Sequence, residues 1–262
     1  MGFSADWLAL RDPADRAARD AVLARRAAEA AGPAPVIVDL GCGTGATWRV
    51  LAPLLPAGAR WRFVDNDPAL LAIAAAAAGD GAEAVEADLG DLDALPLAGA
   101  TLVTASALLD LMPEAWVAGL ARRLGVPFYA ALSYDGRMDW TPDDPRDAAV
   151  TAAFNRHQRG DKGLGPALGP DAADRSAAIL RAAGFDVLTA DSPWVLGPDM
   201  AALQRELTDG IAAAAHEAGA PEAPGWGCDR HAAADRTRCR IGHLDLLALP
   251  RPSPAESSHA VR

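Results

Sequence analysis

Positive charge is scarce in this sequence of 262 residues. Lysine occurs once, at Lys162, and the 24 basic residues are outnumbered by 35 acidic ones, so the formal net charge is −11. A chain this acidic has little electrostatic attraction for nucleic acid or for an anionic membrane surface. We therefore expect neither of them as a partner.

Cysteine and long apolar runs are scarce as well. Three cysteines are too few for a disulfide framework. No apolar run reaches the length of a membrane span, and Met1–Asp6 has neither the basic nor the apolar part of a signal peptide. These absences predict a cytoplasmic protein.

Two Cys–His pairs raise the question of a metal. His231 lies three positions after Cys228, and His243 lies four positions after Cys239. Both spacings are admissible for zinc. Ordinary packing is the simpler explanation, so we predict no metal site.

Asparagine and glutamine are rare, and their positions are informative. Asparagine occurs only at Asn66 and Asn155, and glutamine only at Gln158 and Gln204. Two of these side chains lie within eight positions of Lys162, in one short polar segment. That clustering favours a functional role for the segment.

The most informative feature is the segment Val36–Gly45, an apolar run that contains Asp39 and ends in glycines at alternate positions. The apolar run predicts a buried strand. Glycines directly after it allow a sharp turn and a close approach to a ligand that any Cβ would obstruct. The segment therefore predicts a site for a nucleotide-like cofactor.

Glycine spacing alone leaves two cofactor classes open. Gly41, Gly43 and Ala46 also satisfy the dinucleotide fingerprint, and Asp65 at the end of the second predicted strand suits the ribose in either class. Asp39 separates them, because a carboxylate beside the turn disfavours a pyrophosphate and tolerates a cationic ligand. A nicotinamide-dependent oxidoreductase remains the alternative.

The segment closely resembles motif I of the class I S-adenosylmethionine (SAM) methyltransferases. The resemblance implies a single domain over residues 1–250, an α/β fold with a doubly wound, mostly parallel, Rossmann-like seven-stranded sheet. Its last strand would run antiparallel between strands five and six. Extra segments after strand five (134–170) and before strand seven (198–237) would be lid insertions that shape the acceptor pocket. Residues 251–262 are predicted to be a disordered tail.

The resemblance also implies which residues contact SAM. The glycines would pack on its methionine and ribose parts, Asp65 would hold the ribose hydroxyls, and Asp88 would meet the adenine amino group. Asp39 would lie near the methionine ammonium. The full set of implied cofactor contacts is Asp39, Gly41, Cys42, Gly43, Gly45, Asp65, Asn66, Asp88, Leu89 and Ser106.

Strand and helix signals alternate along the chain, as a parallel sheet with helices on both faces requires. Strands are predicted at 36–40, 60–65, 83–87, 100–105 and 126–133, with a sixth from Phe185 and a last one over 238–249. Asp12 as N-cap and Gly32 as terminator predict one helix between them. Residues 220–230 are predicted to be a loop.

Two regions are candidates for the acceptor side. The exit of strand four resembles motif IV of the family, and Asp110 is the candidate substrate contact or base there, with a solvated turn acid as the alternative. In the segment 154–163, His157 is a candidate general base. Gln158, Arg159 and Lys162 suit a carboxylate, phosphate or sugar-like acceptor.

An exposed helix end that favours cations is the alternative for that segment. Trp7 and Arg11 are predicted to close over the cofactor or the substrate, with core packing and an ion pair as alternatives. The sequence thus predicts a SAM-dependent methyltransferase acting on a small molecule, for which an anionic acceptor is one option. The alternatives are an NAD(P)-dependent oxidoreductase and a catalytically silent SAM-binding protein.

Overall fold

The computed structural model describes residues 3–252, and its centre is an eight-stranded sheet. The strands follow the order β3-β2-β1-β4-β5-β8-β6, and the short β7 pairs with β8. Their bounds are β1 Val36–Leu40, β2 Arg60–Asp65, β3 Ala82–Glu86, β4 Leu102–Ser106, β5 Phe128–Thr141, β6 Phe185–Asp191, β7 Trp194–Leu196 and β8 Arg238–Pro250. The predicted fold class is confirmed, and β7 is an addition to the seven expected strands.

The sheet is parallel from β3 to β5, and β8 runs antiparallel to β5, β6 and β7. Every residue of β1 is buried, because helices cover both faces of the sheet at its centre. Parallel strands bring their carboxyl ends to one edge. Leu40 pairs with Val64 and with Ala105, so the loops after β1, β2 and β4 emerge side by side.

Nine α-helices are formed by the described residues. Their bounds are α1 Ala5–Ala18, α2 Ala21–Ala30, α3 Ala46–Leu51, α4 Pro68–Ala78, α5 Glu114–Arg123, α6 Asp147–Gln158, α7 Ala172–Ala182, α8 Ala201–Glu217 and α9 Ala223–Ala233. Helix α4 begins directly after Asp67, and α5 begins directly after Pro113. Asp67 accepts hydrogen bonds from the first turn of α4, as an N-cap should.

The single helix expected between Asp12 and Gly32 is wrong. Ser4 caps α1, and Asp20 caps a second helix, α2, by accepting from two of its backbone N–H groups. Pro13 lies inside α1, and Asp12 pairs with Arg49. Asp12-Pro13 resembles a helix N-cap locally, which explains why the helix was expected to start there. In the structure Asp12 pairs with Arg49 instead, and α1 starts earlier, at Ala5.

Two further expectations need correction. Strand β5 continues to Thr141, so the insertion expected from 134 begins inside the strand. The loop expected at 220–230 is mostly the helix α9, which buries Trp226 against the edge of Trp140 at a ring-centroid distance of 5.2 Å. Burial of that large ring offsets the weak helix propensity of the two glycines and the proline in α9.

The core has three parts. One apolar cluster containing Val38, Val103 and Trp116 covers one sheet face, and a second containing Ile37, Phe63 and Leu102 covers the other. The third joins the extended half of β5 to α6, α8 and α9. The insertions therefore have a core of their own beside the sheet.

The described part of the chain contains no helix long and apolar enough to cross a membrane. All but the first two residues of the predicted tail 251–262 lie outside the described residues.

Candidate active site

The turn after β1 is built from glycines in left-handed conformations. Gly41, Gly43 and Gly45 have φ values of 64°, 52° and 85°. A side chain at any of them would be strained. The turn is fixed by Asp65, whose Oδ2 accepts from the backbone N–H of Gly43 at 2.9 Å. Cys42 between the glycines is buried, and burial raises the pKa of its thiol.

Helix α1 lies against this turn. A Cβ built on Gly43 would stand 3.1 Å from Cδ1 of Leu8. Arg49 also joins α1 to the turn, because it donates to Asp12 at 2.8 Å and to the carbonyl of Thr44 at 2.6 Å. The amino-terminal helix therefore forms one wall of the cleft.

Asp39 is a buried carboxyl with unused hydrogen-bonding capacity. Its Oδ1 accepts from Thr104 at 2.7 Å, while its Oδ2 has no hydrogen-bond partner among residues 3–252. Burial raises the pKa of Asp39 to about 6, and the hydrogen bond from Thr104 and the charge of Arg19 oppose that rise. A cation placed at Oδ2 would satisfy this group.

Arg19 is the counterpart of Asp39 and is not among the predicted site residues. It follows α1 directly and donates from Nη2 to Oγ of Ser106 at 2.7 Å. Its Nε and Nη1 are buried and have no partner within the described residues. A buried guanidinium with two free donors is a strong site for an anion. The sequence signal that points to it is Asp20, whose N-cap position ends α1 at Arg19.

Asp65 ends β2, and Asp88 lies two residues beyond the end of the neighbouring strand β3. Oδ1 of Asp65 accepts from the N–H of Asp67 at 3.1 Å, and Oδ1 of Asp88 accepts from Gly90 at 2.8 Å. Asp88 and Asn66 are exposed. The carbonyl of Leu89 is fixed by Nε1 of Trp116 at 2.6 Å. These residues form a rim on the β3 side of the glycine turn.

Asp110 lies in the turn after β4 and has a buried carboxyl. Its Oδ1 has no hydrogen-bond partner in the described structure. Burial raises the pKa of Asp110 to about 6, against backbone N–H donors and the charges of Arg11 and Lys162. The turn that presents it is strained at Ala107, a non-glycine residue with a φ of 48°. Asp110 is thus partly buried with its Oδ1 shielded from solvent, which differs from the solvated turn acid of the alternative interpretation.

Lys162 contacts His157, and His157 in turn contacts Glu217. Nζ of Lys162 lies 3.3 Å from Nδ1 of His157, and Nε2 of His157 lies 3.2 Å from a carboxylate oxygen of Glu217. Lys162 is half-buried, and the charge of Asp110 acts on it. Lys162 therefore contacts His157 and lies within electrostatic reach of Asp110.

Gln158 and Arg159 lie at the end of α6. Arg159 is exposed and donates to Asp171 at 2.9 Å and to the carbonyl of Asn155 at 3.2 Å. The structure thus turns its guanidinium to a surface carboxylate. Gln158 at the end of α6 has its backbone against Gly169.

Arg11 and Trp7 belong to the wall formed by α1. Arg11 donates to both carboxylate oxygens of Asp15, at 2.9 and 3.2 Å, and lies over the ring of Trp194. Trp7 packs at the edge of the third apolar cluster. Arg11 forms a buried ion pair with Asp15, and the charge of Arg11 acts on Asp110 and His243. Its predicted direct role in closing over a ligand stays a prediction.

The two Cys–His pairs are separated in space and engaged elsewhere. Cys228 is exposed, and His231 contacts Asp209 at 3.0 Å. His243 is buried, which lowers its pKa to about 3. Residues 3–252 contain no group of three or more His, Cys, Asp and Glu side chains that could hold a metal ion.

The cleft thus combines a glycine turn, strand-end carboxylates and a buried anion site. Residues 37–125, which contain the turn and both strand-end acids, match the family model described as a methyltransferase domain. This part of the chain is therefore similar to a methyltransferase domain.

Solved structures share this fold. A cyclopropane-fatty-acyl-phospholipid synthase-like protein from Lactobacillus casei is 14% identical, with a TM-score of 0.57 and 95% of each chain covered. A protein from Bacillus halodurans assigned as a methyltransferase is 16% identical, with a TM-score of 0.53, and the match covers 88% of this chain and all of that one.

A third similar structure is a complex. The Haloferax volcanii protein assigned as a methyltransferase, bound to the Trm112 methyltransferase activator, is 17% identical, with a TM-score of 0.53 and 94% of each chain covered. At these identities the likeness establishes the fold. No curated protein matches the chain in sequence.

Proposed function

We propose that this protein is a SAM-dependent methyltransferase that acts on a small acceptor carrying an anionic group, with Asp110 as the general base. The observation that carries the proposal is the buried, unpartnered Oδ1 of Asp110 with the charge of Lys162 acting on it. A base and a cation on one wall suit an acceptor that must be both deprotonated and held by an anionic group.

The residues present fit the cofactor. The methionine part of SAM carries a carboxylate and an ammonium group. Arg19 has two buried donors without partners, and Asp39 has a buried acceptor without one. We assign the carboxylate to Arg19 and the ammonium to Asp39, because each ligand charge would satisfy an otherwise costly buried group.

The remaining cofactor contacts follow the strand ends. Asp65 has the geometry to accept from ribose hydroxyls while it holds the glycine turn, and Asp88 would accept from the adenine amino group on the β3 rim. The glycine turn offers backbone where a Cβ would obstruct the ligand. Leu89, whose carbonyl is fixed by Trp116, would line the same rim.

The protein's contribution to the chemistry is alignment and proton removal. The sulfonium of SAM supplies an activated methyl group when the cofactor is bound. Binding both reactants in line provides roughly 7 to 11 kcal/mol of barrier reduction at best. Asp110 would take a proton from an acceptor hydroxyl, thiol or amine, whose lone pair would then bond to the methyl carbon as the carbon–sulfur bond breaks and S-adenosylhomocysteine leaves.

A pH profile follows from this role. Asp110 must be ionised to accept a proton, and its pKa is raised to about 6. Transfer should therefore be constant above about pH 7 and fall as the pH drops through 6, approaching a tenfold loss per unit.

Incubating the protein with methyl-labelled SAM and a small-molecule extract tests the proposal. We expect label in an anionic metabolite with the wild-type protein and little with Asp110→Asn. A thermal-shift series is the companion measurement: SAM and S-adenosylhomocysteine should raise the melting temperature, and NAD and NADP should not. Stabilisation by a dinucleotide alone would favour the oxidoreductase alternative. Cofactor binding with no labelled product would favour a silent SAM-binding protein.

A further inference from the structure

Lys162 lies at the inner end of a line of contacts that runs to the protein surface. Its Nζ contacts Nδ1 of His157 at 3.3 Å, and Nε2 of His157 contacts Glu217 at 3.2 Å. Glu217 is the last residue of α8, and its side chain is 70% exposed. Three elements therefore supply one polar line: the loop after α6, α6 itself and α8.

The geometry fixes both ends of this line. Arg156 of α6 donates to the carbonyl of Ala218 at 3.1 Å, which ties the end of α6 to the end of α8. At the other end, Leu168 donates its N–H to the carbonyl of Met112 at 2.9 Å. That bond anchors the Lys162 loop beside the turn that carries Asp110.

We propose that Glu217 and His157 are positioning residues that hold the ammonium of Lys162 toward Asp110 and so keep the Asp110 carboxyl ionised in neutral solution. The proposal rests on the proposed function, because it explains how a buried acid is ready to act as a base.

The hydrogen-bond roles are consistent along the line. The Lys162 ammonium has donors only, so Nδ1 of His157 must accept. Nε2 of the same neutral imidazole then carries the hydrogen and donates to the Glu217 carboxylate. The charge order is negative, neutral and positive from the surface inward, so Glu217 stabilises the Lys162 ammonium through the imidazole.

Two cations act on Asp110, Arg11 more strongly than Lys162. Arg11 from α1, Lys162 from the loop and Tyr134 from β5 face it. Both carboxylate oxygens of Asp15 already accept from Arg11, and Tyr134 is neutral because burial raises the pKa of its hydroxyl. Within residues 3–252, Lys162 has no carboxylate at ion-pair distance. Its charge is therefore available to Asp110.

Lys162 needs this support because burial disfavours its charged form. Burial lowers the pKa of Lys162, and the negative charges of Glu217 and Asp110 oppose that effect. The contact between Glu217 and His157 is too exposed to contribute much to folding stability, since exposed pairs of this kind contribute about 0–1 kcal/mol. The contact between Glu217 and His157 acts instead by holding Lys162 in place.

The chain permits a direct test, because Lys162 is its sole lysine. Protein labelled with ¹³C at the lysine ε-carbon gives a single side-chain signal for this residue. A pH titration of that signal in the wild-type protein should show an inflection near pH 6 from Asp110, besides the titration of Lys162 itself. Asp110→Asn should remove the inflection and lower the Lys162 midpoint.

Two variants test the outer part of the line. In His157→Ala and Glu217→Gln, the inflection near pH 6 should weaken and move up, on the order of one pH unit, because the cation is no longer held near the carboxyl. Glu217→Gln should also lower the Lys162 midpoint. Glu206→Gln on the same helix and His216→Gln are matched controls that should change neither quantity, since both side chains are exposed.

Binding of S-adenosylhomocysteine shows that each variant is folded. No inflection near pH 6 in the wild-type protein, or one that His157→Ala and Glu217→Gln leave unchanged, overturns the proposal. Failure of the proposed function looks different: Asp110→Asn would remove the inflection, yet the labelled methyl product would still form at the wild-type rate.

Discussion

The cleft has two walls that are built differently. The cofactor wall, residues 36–90, is made of backbone: glycines in left-handed conformations and strand-end acids that bind nearby N–H groups. The acceptor wall is made of side chains from distant parts of the chain. Lys162, His157 and Glu217 join three elements across 60 residues, and Arg11 reaches Trp194.

This difference indicates which wall can change its side chains without disturbing the fold. A backbone turn presents the same surface whatever the neighbouring side chains are, so it suits a cofactor shared by many enzymes. Side chains on insertions can be exchanged without disturbing the sheet. The acceptor wall is accordingly where we place the specificity of this enzyme.

The largest effect should come from breaking the cofactor wall. Gly43→Val places a β-branched side chain at a φ of 52° and against Leu8. We expect affinity for S-adenosylhomocysteine, measured by calorimetry, to fall on the order of 100-fold. Gly58→Val is the matched control: its φ is 89° with open space around the Cβ, so it carries similar strain away from the cleft. Equal affinities in the two variants would refute the role of the turn.

The next effect concerns a single strand-end acid. Asp65→Ala removes a charged acceptor and should weaken S-adenosylhomocysteine binding by about 10- to 100-fold, since such a hydrogen bond is worth about 1.5–3 kcal/mol. Asp67→Ala, which removes the N-cap of α4, should lower the melting temperature without this loss of affinity. An unchanged affinity in folded Asp65→Ala would remove Asp65 from the site.

A third prediction tests whether the two walls act independently. Lys162→Met should leave S-adenosylhomocysteine affinity within about twofold of wild type and lower transfer to an anionic acceptor roughly tenfold or more. Arg159→Met should lower transfer less, because Arg159 is turned to Asp171. The measurement is calorimetry beside label incorporation. A large loss of cofactor affinity in Lys162→Met would show that the walls are not independent.

The last effect is on stability, and it does not involve ligand binding. The folded pKa of Asp110 is raised from 3.8 to about 6, so the folded state binds a proton more tightly than the unfolded state. Stability from this group is therefore present below about pH 4, lost as the pH rises to about 6, and absent above. Asp110→Asn should stabilise the protein at pH 7.5 by at most about 2–3 kcal/mol and by little at pH 4. Chemical denaturation at both pH values measures it, and a destabilised variant at pH 7.5 would contradict it.

The features of the proposed cofactor wall are visible in the sequence because their determinants are local. An apolar run, glycines directly after it and an acid at the end of each following strand are adjacent in the chain, and strand order brings them together. Arg19 was not predicted, although it lies in the same cleft. Its role depends on the break between α1 and α2 and on contact with Ser106, 87 positions away.

The acceptor wall could be predicted only as a list of residue types. The segment 154–163 was recognised by its composition, but which of its side chains faces the cleft depends on Asp171 and Glu217, which engage Arg159 and His157. The loop expected at 220–230 failed for the same reason, since burial of Trp226 against Trp140 outweighs local turn signals. Long-range packing decides such segments.

The most direct test of the two-wall account is a labelling experiment with paired binding data. Wild type and Lys162→Met are each incubated with methyl-labelled SAM and a small-molecule extract, and their affinities for S-adenosylhomocysteine are measured by calorimetry. We predict equal affinities, with label entering an anionic metabolite roughly tenfold or more slowly in Lys162→Met than in the wild-type sample. Equal labelling by both proteins, or label confined to nucleic acid, protein or lipid, would contradict the account.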